Sequence, residues 1–165
     1  MKIEFGGGTN PRKLHYVQAD IRNLGNNIVC NTWNIVDHVQ PNTVTDIYSR
    51  HLFEHLTHKQ AIRTLKAWKT ICAEEARVEL ICPNMLFHLE QWKNWGTLNT
   101  KEKDYCRAGF WGWQREADES AWDLHKSGYD FDKLKELVET HRFKKFKALS
   151  EPNIKNPHLE VEFYA

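Results

Sequence analysis

Two short apolar stretches near the start of the chain, Lys2–Phe5 and Tyr16–Ala19, are separated by Gly6-Gly7-Gly8 and then only by Thr9 to His15, with Pro11 inside the gap. Neighbouring parallel strands need a crossover of about a dozen residues or more, usually an α-helix. A proline in so short a segment removes a backbone donor and opposes a helix. If both stretches are strands of one sheet, the first crossover must be reduced to a loop. The glycines add a second constraint, because without Cβ atoms the turn can come very close to a ligand.

Beyond this point apolar segments and turns alternate. Asn27–Cys30 and Val44–Tyr48 read as a third and a fourth strand. Thr57–Cys72 is the clearest helix, with Ala61, Leu65, Trp68 and Cys72 on one face and Lys66 and Lys69 elsewhere. Thr57 and Gln60 have the spacing of a capping box, although the helix has room to start nearer Leu52. Val78–Cys82 is a strand stopped by Pro83, and Asp130 caps a second helix whose Leu134, Leu137, Val138 and His141 share a face. Phe143–Leu149 and His158–Tyr164 are the last strands, joined through Pro152, Asn153 and Pro157. In the final one, Leu159, Val161 and Phe163 alternate with Glu160 and Glu162, the pattern of an antiparallel edge strand with one wet face.

At 165 residues, 41% of them hydrophobic, the chain is the size of one compact domain, residues 1–165. Twenty-three Lys and Arg against 22 Asp and Glu leave no global field to draw it onto nucleic acid or an anionic membrane. The basic run His141 to Lys147 interleaves with Phe143 and Phe146, as a strand with a solvated side does. A small-molecule partner is the expectation. Cys30, Cys72, Cys82 and Cys106 form no C-x-x-C pair, which argues against a thiolate zinc cage and a secreted disulfide framework. Met1 and Lys2 run directly into Ile3 and Phe5, and no apolar run approaches about 20 residues, so a soluble cytoplasmic protein is expected.

The chemistry-bearing residues gather at strand ends. Glu4-Phe5-Gly6-Gly7-Gly8 closes strand one, Asp20 ends strand two, Asn31 follows strand three and Ser49 follows strand four. In an open α/β sheet ligands sit at the carboxyl ends of strands, and a carboxylate at the end of strand two is where a ribose diol is commonly held. Asn31 is suited to an adenine edge and Trp33 to its face. An NAD fingerprint would need a further glycine opening a helix where Pro11 stands. A rival reading takes His51, Glu54 and His55 as an H-x-x-E-H zinc site on a helix.

Taken together, KIEFGGGTNP, then YVQAD, then TDIYSRHLFEHL, VELICPN, HKSGYDFDKLKELVETHRF and HLEVEFYA resemble the small class I S-adenosylmethionine-dependent methyltransferases of the methyltransferase-11 type. The resemblance covers nearly the whole chain, least well at Asp104 to Glu119. It implies a Rossmann-like α/β fold, a mostly parallel sheet with an antiparallel C-terminal strand, and a reduced first crossover helix. It also implies S-adenosylmethionine as cofactor. Glu4, Phe5, Gly6, Gly7 and Gly8 would cradle its methionine portion, Asp20 and Ile21 the ribose, and Asn31, Thr32 and Trp33 the adenine. Ser49, Arg50 and His51 would line the pocket near the sulfonium. Three positions depart from the pattern: Glu74-Glu75-Ala76 replaces a Pro-Gly-Gly turn, Asn31 an acidic residue, and Arg142 a glycine. On this reading His51, Glu54 and His55 are helix-start and packing residues, no metal is expected, and a zinc hydrolase ranks behind an inactive cofactor-binding protein.

The acceptor side falls in residues 86–128, an aromatic-rich insertion holding Trp92, Trp95, Trp111, Trp113 and Trp122. Such rings can cap a pocket and face a cation, or simply glue the insertion onto the sheet. Gln114 and Asp123 to Lys126 resemble polar positions that relatives place over the active site. Trp111, Trp113, Gln114 and His125 are the expected acceptor contacts, with His125 as a general base because imidazole titrates near working pH.

Overall fold

The computed structural model describes residues 1–25, 28–114 and 123–165. Asn27, expected to open the third strand, and Trp122 lie outside the described residues. Seven strands form one sheet in the order β3-β2-β1-β4-β5-β7-β6. They are β1 (Lys2–Phe5), β2 (Val17–Asp20), β3 (Ile28–Val29), β4 (Val44–Arg50), β5 (Cys72–Pro83), β6 (Lys144–Ala148) and β7 (His158–Tyr164). The five strands from β3 to β5 pair in parallel, while β7 pairs antiparallel with both β5 and β6.

The crossover from β1 to β2 is a loop, as Pro11 and its length require. Glu4, 1% exposed, replaces the missing helix as organiser: its two carboxylate oxygens accept the backbone N–H groups of Arg12 and Lys13, each at 2.8 Å. A buried carboxylate holding backbone donors in this way fixes a loop that has no ladder of its own.

Helix α1 (His58–Ile71) starts where its caps dictate and not at Leu52: Thr57 and Gln60 form the capping box, and Phe53–His55 is a separate 3-10 turn. Ala61, Leu65, Trp68 and Cys72 are all buried. With α4 (Phe131–Thr140), capped by Asp130, this face meets Ile3, Phe5, Ile47, Val78, Leu80, Val161 and Phe163 of the sheet in one apolar cluster.

The opposite face of the sheet is built differently. Cross-strand register aligns Asp46 with Arg77 and Glu79 with Glu162. Arg77 bridges them, reaching Asp46 at 3.5 Å, Glu79 at 2.7 Å and Glu162 at 3.1 Å. Lys13 adds an ion pair to Glu79 at 3.5 Å and lies over the Tyr48 ring. This layer corrects the expectation for His158–Tyr164. The strand is interior, between β5 and β6, and its alternation reflects Glu162 facing the charged layer, with β6 as the edge.

β4 and β5 both run longer than their apolar cores. Glu74–Ala76 lies within β5, where the register jumps from Val44–Cys72 to Asp46–Arg77 and Glu75 takes φ 59°. Arg142 after α4 takes φ 68°. Both departures from glycine therefore keep the left-handed backbone that glycine serves most easily. The described residues of the 86–128 insertion form two regular helices, α2 (Met85–Lys93, which begins one residue ahead of it) and α3 (Thr100–Trp111), capped by Asn84 and by an Asn99–Glu102 capping box.

Candidate active site

Two clefts open at the carboxyl ends of β1, β2, β4 and β5. The first, about 490 Å³, lies between Phe5, Gly6, Ala19 and Asp20 on one side and Trp33 and Leu52 on the other. The second, about 550 Å³, lies between Arg12, Arg50 and Glu54 and the α2–α3 region, which contributes His88, Tyr105 and Trp113. Gly6, His51, His55 and Asp123 border both. Each volume falls in the range of small-ligand sites, about 300–1,000 Å³.

In the first cleft Asp20 and Thr32 are already partnered. Asp20, 7% exposed, accepts the Gly8 N–H at 3.3 Å and the Arg22 N–H at 3.0 Å, and pairs with the Arg22 guanidinium at 3.2 Å. Gly6 at φ 72° makes the turn, with Leu52 directly over the position a Cβ would take. Thr32 turns its hydroxyl inward to accept Trp68 Nε1–H at 3.1 Å. Trp33 borders the cleft with the Arg63 guanidinium over its ring, and Asn31 and Ile21 complete the wall. Apolar walls, one flat ring and a carboxylate at the rim match the parts of a nucleoside-bearing cofactor.

Some expected cofactor residues sit elsewhere. Glu4 and Gly7 face the second cleft, as does Arg50. Ser49 borders neither cleft and has a buried hydroxyl without a hydrogen-bond partner among the described residues. Gly8 serves through its N–H to Asp20.

The second cleft concentrates imidazoles: His51, His55, His88, His125 and His158. The backbone ahead of the turn is unusual, with His51 at φ 51°. His51 Nδ1 lies 2.8 Å from Glu54 Oε1, and Glu54 is 2% exposed. Burial opposes its charge, yet the His51 hydrogen bond and neighbouring imidazoles hold its carboxyl below the ordinary value. His55 Nδ1 sits 3.0 Å from Leu124 O, and His125 Nδ1 2.9 Å from Gly109 O. A carbonyl only accepts, so each Nδ1 carries a proton, and in the neutral ring the lone pair is on Nε2. Burial is the main cause that lowers the pKa of His125. Burial also pushes His88 and His158 down to about 4.

Glu54 Oε2, Arg50 Nε, His88 Nδ1 and His158 Nδ1 are buried without a partner among the described residues, and all four residues border this cleft. Unpartnered buried polar atoms cost about 1–3 kcal/mol each and are expected where a ligand completes them. The expected acceptor contacts divide. His125 and Trp113 line the cleft, whereas Trp111 packs on Trp92 and Phe110, and Gln114 donates to Trp111 O away from it. Trp92, Trp95 and Trp111 thus glue the insertion together, and Trp113 alone of the described tryptophans lines the second cleft.

No family model matches this chain by sequence, and neither does any curated protein. Solved structures match it by shape. An S-adenosylmethionine-dependent methyltransferase from Archaeoglobus fulgidus superposes with a TM-score of 0.67 over 99% of this chain and 85% of its own, at 11% identity. The fold is that of the class I methyltransferases. A second such enzyme from Thermotoga maritima gives 0.65 at 10% identity over 99% and 81% of the two chains. A third, from Methanosarcina mazei, gives 0.63 at 13% identity over 99% and 89%. At these identities the likeness concerns the methyltransferase fold, and the residues of the clefts must be argued from their own chemistry. No helix among the described residues is long and apolar enough to cross a membrane.

Arg12, His88, Tyr105 and His158 do not figure in the sequence-based expectations for the site. Their one sequence signal is composition: nine histidines in 165 residues, five of which converge here. The H-x-x-E-H reading is corrected as well. The segment is a strand end and a 3-10 turn, with no helix face to carry two imidazoles four residues apart.

Proposed function

We propose that the chain is an S-adenosylmethionine-dependent methyltransferase acting on a small-molecule acceptor, with residues 1–165 as one catalytic unit and 86–128 as its cap. The observation that carries this reading is the meeting of two clefts at Gly6, His51, His55 and Asp123, one preformed and one imidazole-rich, at the strand ends of a methyltransferase sheet. Bound in the first cleft, S-adenosylmethionine supplies an electrophilic methyl group. Asp20 and Asn31 would hold its sugar and base, Trp33 would cover the base, and the Gly6 turn would leave room for the amino-acid end. His51 stands at the junction, where the methyl must pass. Alignment of donor and acceptor in a dry site supplies much of the catalysis in such a transfer. His125, with Nε2 free toward the second cleft, is assigned to acceptor activation.

The test is calorimetric titration with S-adenosylmethionine and S-adenosylhomocysteine, followed by methyl transfer to a panel of small hydroxyl and amine acceptors. Saturable binding weakened by Asp20→Ala is expected, together with turnover that His125→Ala lowers while S-adenosylhomocysteine still binds. Absence of binding at millimolar ligand overturns the reading. Binding without turnover on any acceptor would leave a cofactor-binding protein of the same fold.

A further inference from the structure

We propose that Glu54, His55 and His125 bind one divalent transition-metal ion at the floor of the second cleft. One ligand atom from each of the three lies within 4.8 Å of the others. Ligands about 2.1 Å from a shared ion stand about 3.4 Å apart in a tetrahedron, so small side-chain rotations close the set.

Three independent features prepare these groups for a cation. The first is the tautomer: Leu124 O and Gly109 O tie down Nδ1–H of His55 and His125 and leave both Nε2 lone pairs bare. Metal-ligating histidines are oriented in this way by a backbone carbonyl or carboxylate behind the ring. The two rings stand edge to face with centroids 4.9 Å apart, so the two imidazoles share one small space. The second is the carboxylate: Glu54 is 2% exposed, His51 holds Oε1, and Oε2 has no partner among the described residues. The third is scaffolding: Lys126 N–H and Ser127 N–H both donate to Glu54 O, at 2.7 and 3.1 Å, and Ser127 Oγ donates to Phe53 O at 3.1 Å. The segment bearing His125 is thus pinned to the turn bearing Glu54 and His55, and the three ligands are held before any ion arrives.

Two imidazoles and a carboxylate suit Zn²⁺ and its first-row neighbours, and three protein ligands leave at least one position for an outside donor. That position faces the second cleft, where a hydroxyl or amine of the acceptor would fill it. With the ion bound, His125 Nε2 is a ligand and activation of the acceptor falls to the ion; this last assignment rests on the methyl-transfer reading, and the metal site does not. His51 acts from behind, orienting the Glu54 carboxylate.

The protein should be stripped with a chelator, dialysed, and titrated with Zn²⁺ by calorimetry and with Co²⁺ by visible absorption. One equivalent of saturable binding is expected. His55→Ala or His125→Ala should weaken it by more than the about 10–100-fold that loss of an outer partner costs. If a variant fails to fold, nitrogen-resolved NMR of the wild-type imidazoles decides: Zn²⁺ should shift Nε2 of His55 and His125 and leave His88 and His58 unmoved. Absence of one-equivalent binding, or binding that survives both alanine variants, overturns the site. S-adenosylhomocysteine titration of the stripped protein runs alongside. A protein that binds the nucleoside but fails to bind Zn²⁺ would sink this proposal alone, and one that binds Zn²⁺ but fails to bind the nucleoside would sink the methyltransferase reading alone.

Discussion

The two clefts share four residues and one sheet, yet they are finished to different degrees. In the first, Asp20 and Thr32 already have their hydrogen bonds, supplied by Gly8, Arg22 and Trp68. In the second, Glu54 Oε2, Arg50 Nε, His88 Nδ1 and His158 Nδ1 are buried with none among the described residues. A satisfied site is stable without its ligand; an unsatisfied one is held open by the structure around it and gains most when something binds. The first cleft is therefore preformed, and the second stores unfavourable desolvation that a ligand or cation relieves.

Acid should break this comparison most strongly. His88, 1% exposed, is neutral in the folded chain down to about 4, against an ordinary value of 6.5, because burial disfavours its charge. Between those values the unfolded chain binds the proton and the folded chain does not, so stability falls as pH drops from about 6.5 toward about 4 and levels off below. At His88 the shift is worth at most about 3 kcal/mol. His158 works in the same direction over the same window. Urea midpoints measured from pH 7.5 to pH 4 should show this slope, and His88→Leu should flatten it. An unchanged slope in that variant would mean the imidazole is solvated.

A backbone change should separate the halves next. Gly112 ends α3 at φ 81° and ψ 168°, a region nearly closed to other residues, and a Cβ there would stand 1.6 Å from Asp123 O. Such strain costs about 1–3 kcal/mol before the clash is counted. Gly112→Ala should push the 123–125 segment outward, abolish Zn²⁺ binding and turnover, and lower S-adenosylhomocysteine affinity much less, since Asp123 is the one residue of that segment that borders the first cleft and the strand ends are untouched. Equal loss of both would mean the clefts are one mechanical unit. The reciprocal variant, Asp20→Ala, removes hydrogen bonds to a charged group worth about 1.5–3 kcal/mol. Calorimetry should show nucleoside affinity falling roughly tenfold or more while the Zn²⁺ titration stays as in the wild type.

The same contrast explains what could be read from the sequence. Asp20, Gly6 and Trp33 lie within a few positions of a strand end, and strand ends are visible as breaks in apolar runs. The second cleft gathers Glu54, His88, Gly109, His125 and His158, each 16 to 34 residues from the next, and no periodicity announces that they meet. Helices α2 and α3 were hidden because rings at Trp92, Phe110 and Trp111 pack on each other, and Phe87 on Tyr105, instead of marking one face. Their caps, Asn84 and Asn99 with Glu102, were the readable signal. The β7 alternation misled for a related reason: ion pairs with Arg77 and Lys147 make an interior position of the sheet look wet.

The smallest expected effect serves as the control on both halves. Arg142 occupies the left-handed position after α4 at φ 68°, and its N–H donates to Glu139 O at 3.0 Å. A non-glycine residue there carries about 1–2 kcal/mol of steric cost. Glycine removes that cost but returns part of it by loosening the unfolded chain. Arg142→Gly should therefore raise stability by roughly 0.5–1 kcal/mol, visible as a higher urea midpoint at an unchanged slope. Neither cleft contains Arg142 or a neighbour that holds it, so nucleoside affinity and Zn²⁺ affinity should both stay at the wild-type value. A gain in stability that moved either affinity would show that the sheet frame tunes the clefts, and the division between a preformed cleft and a poised one would have to be redrawn.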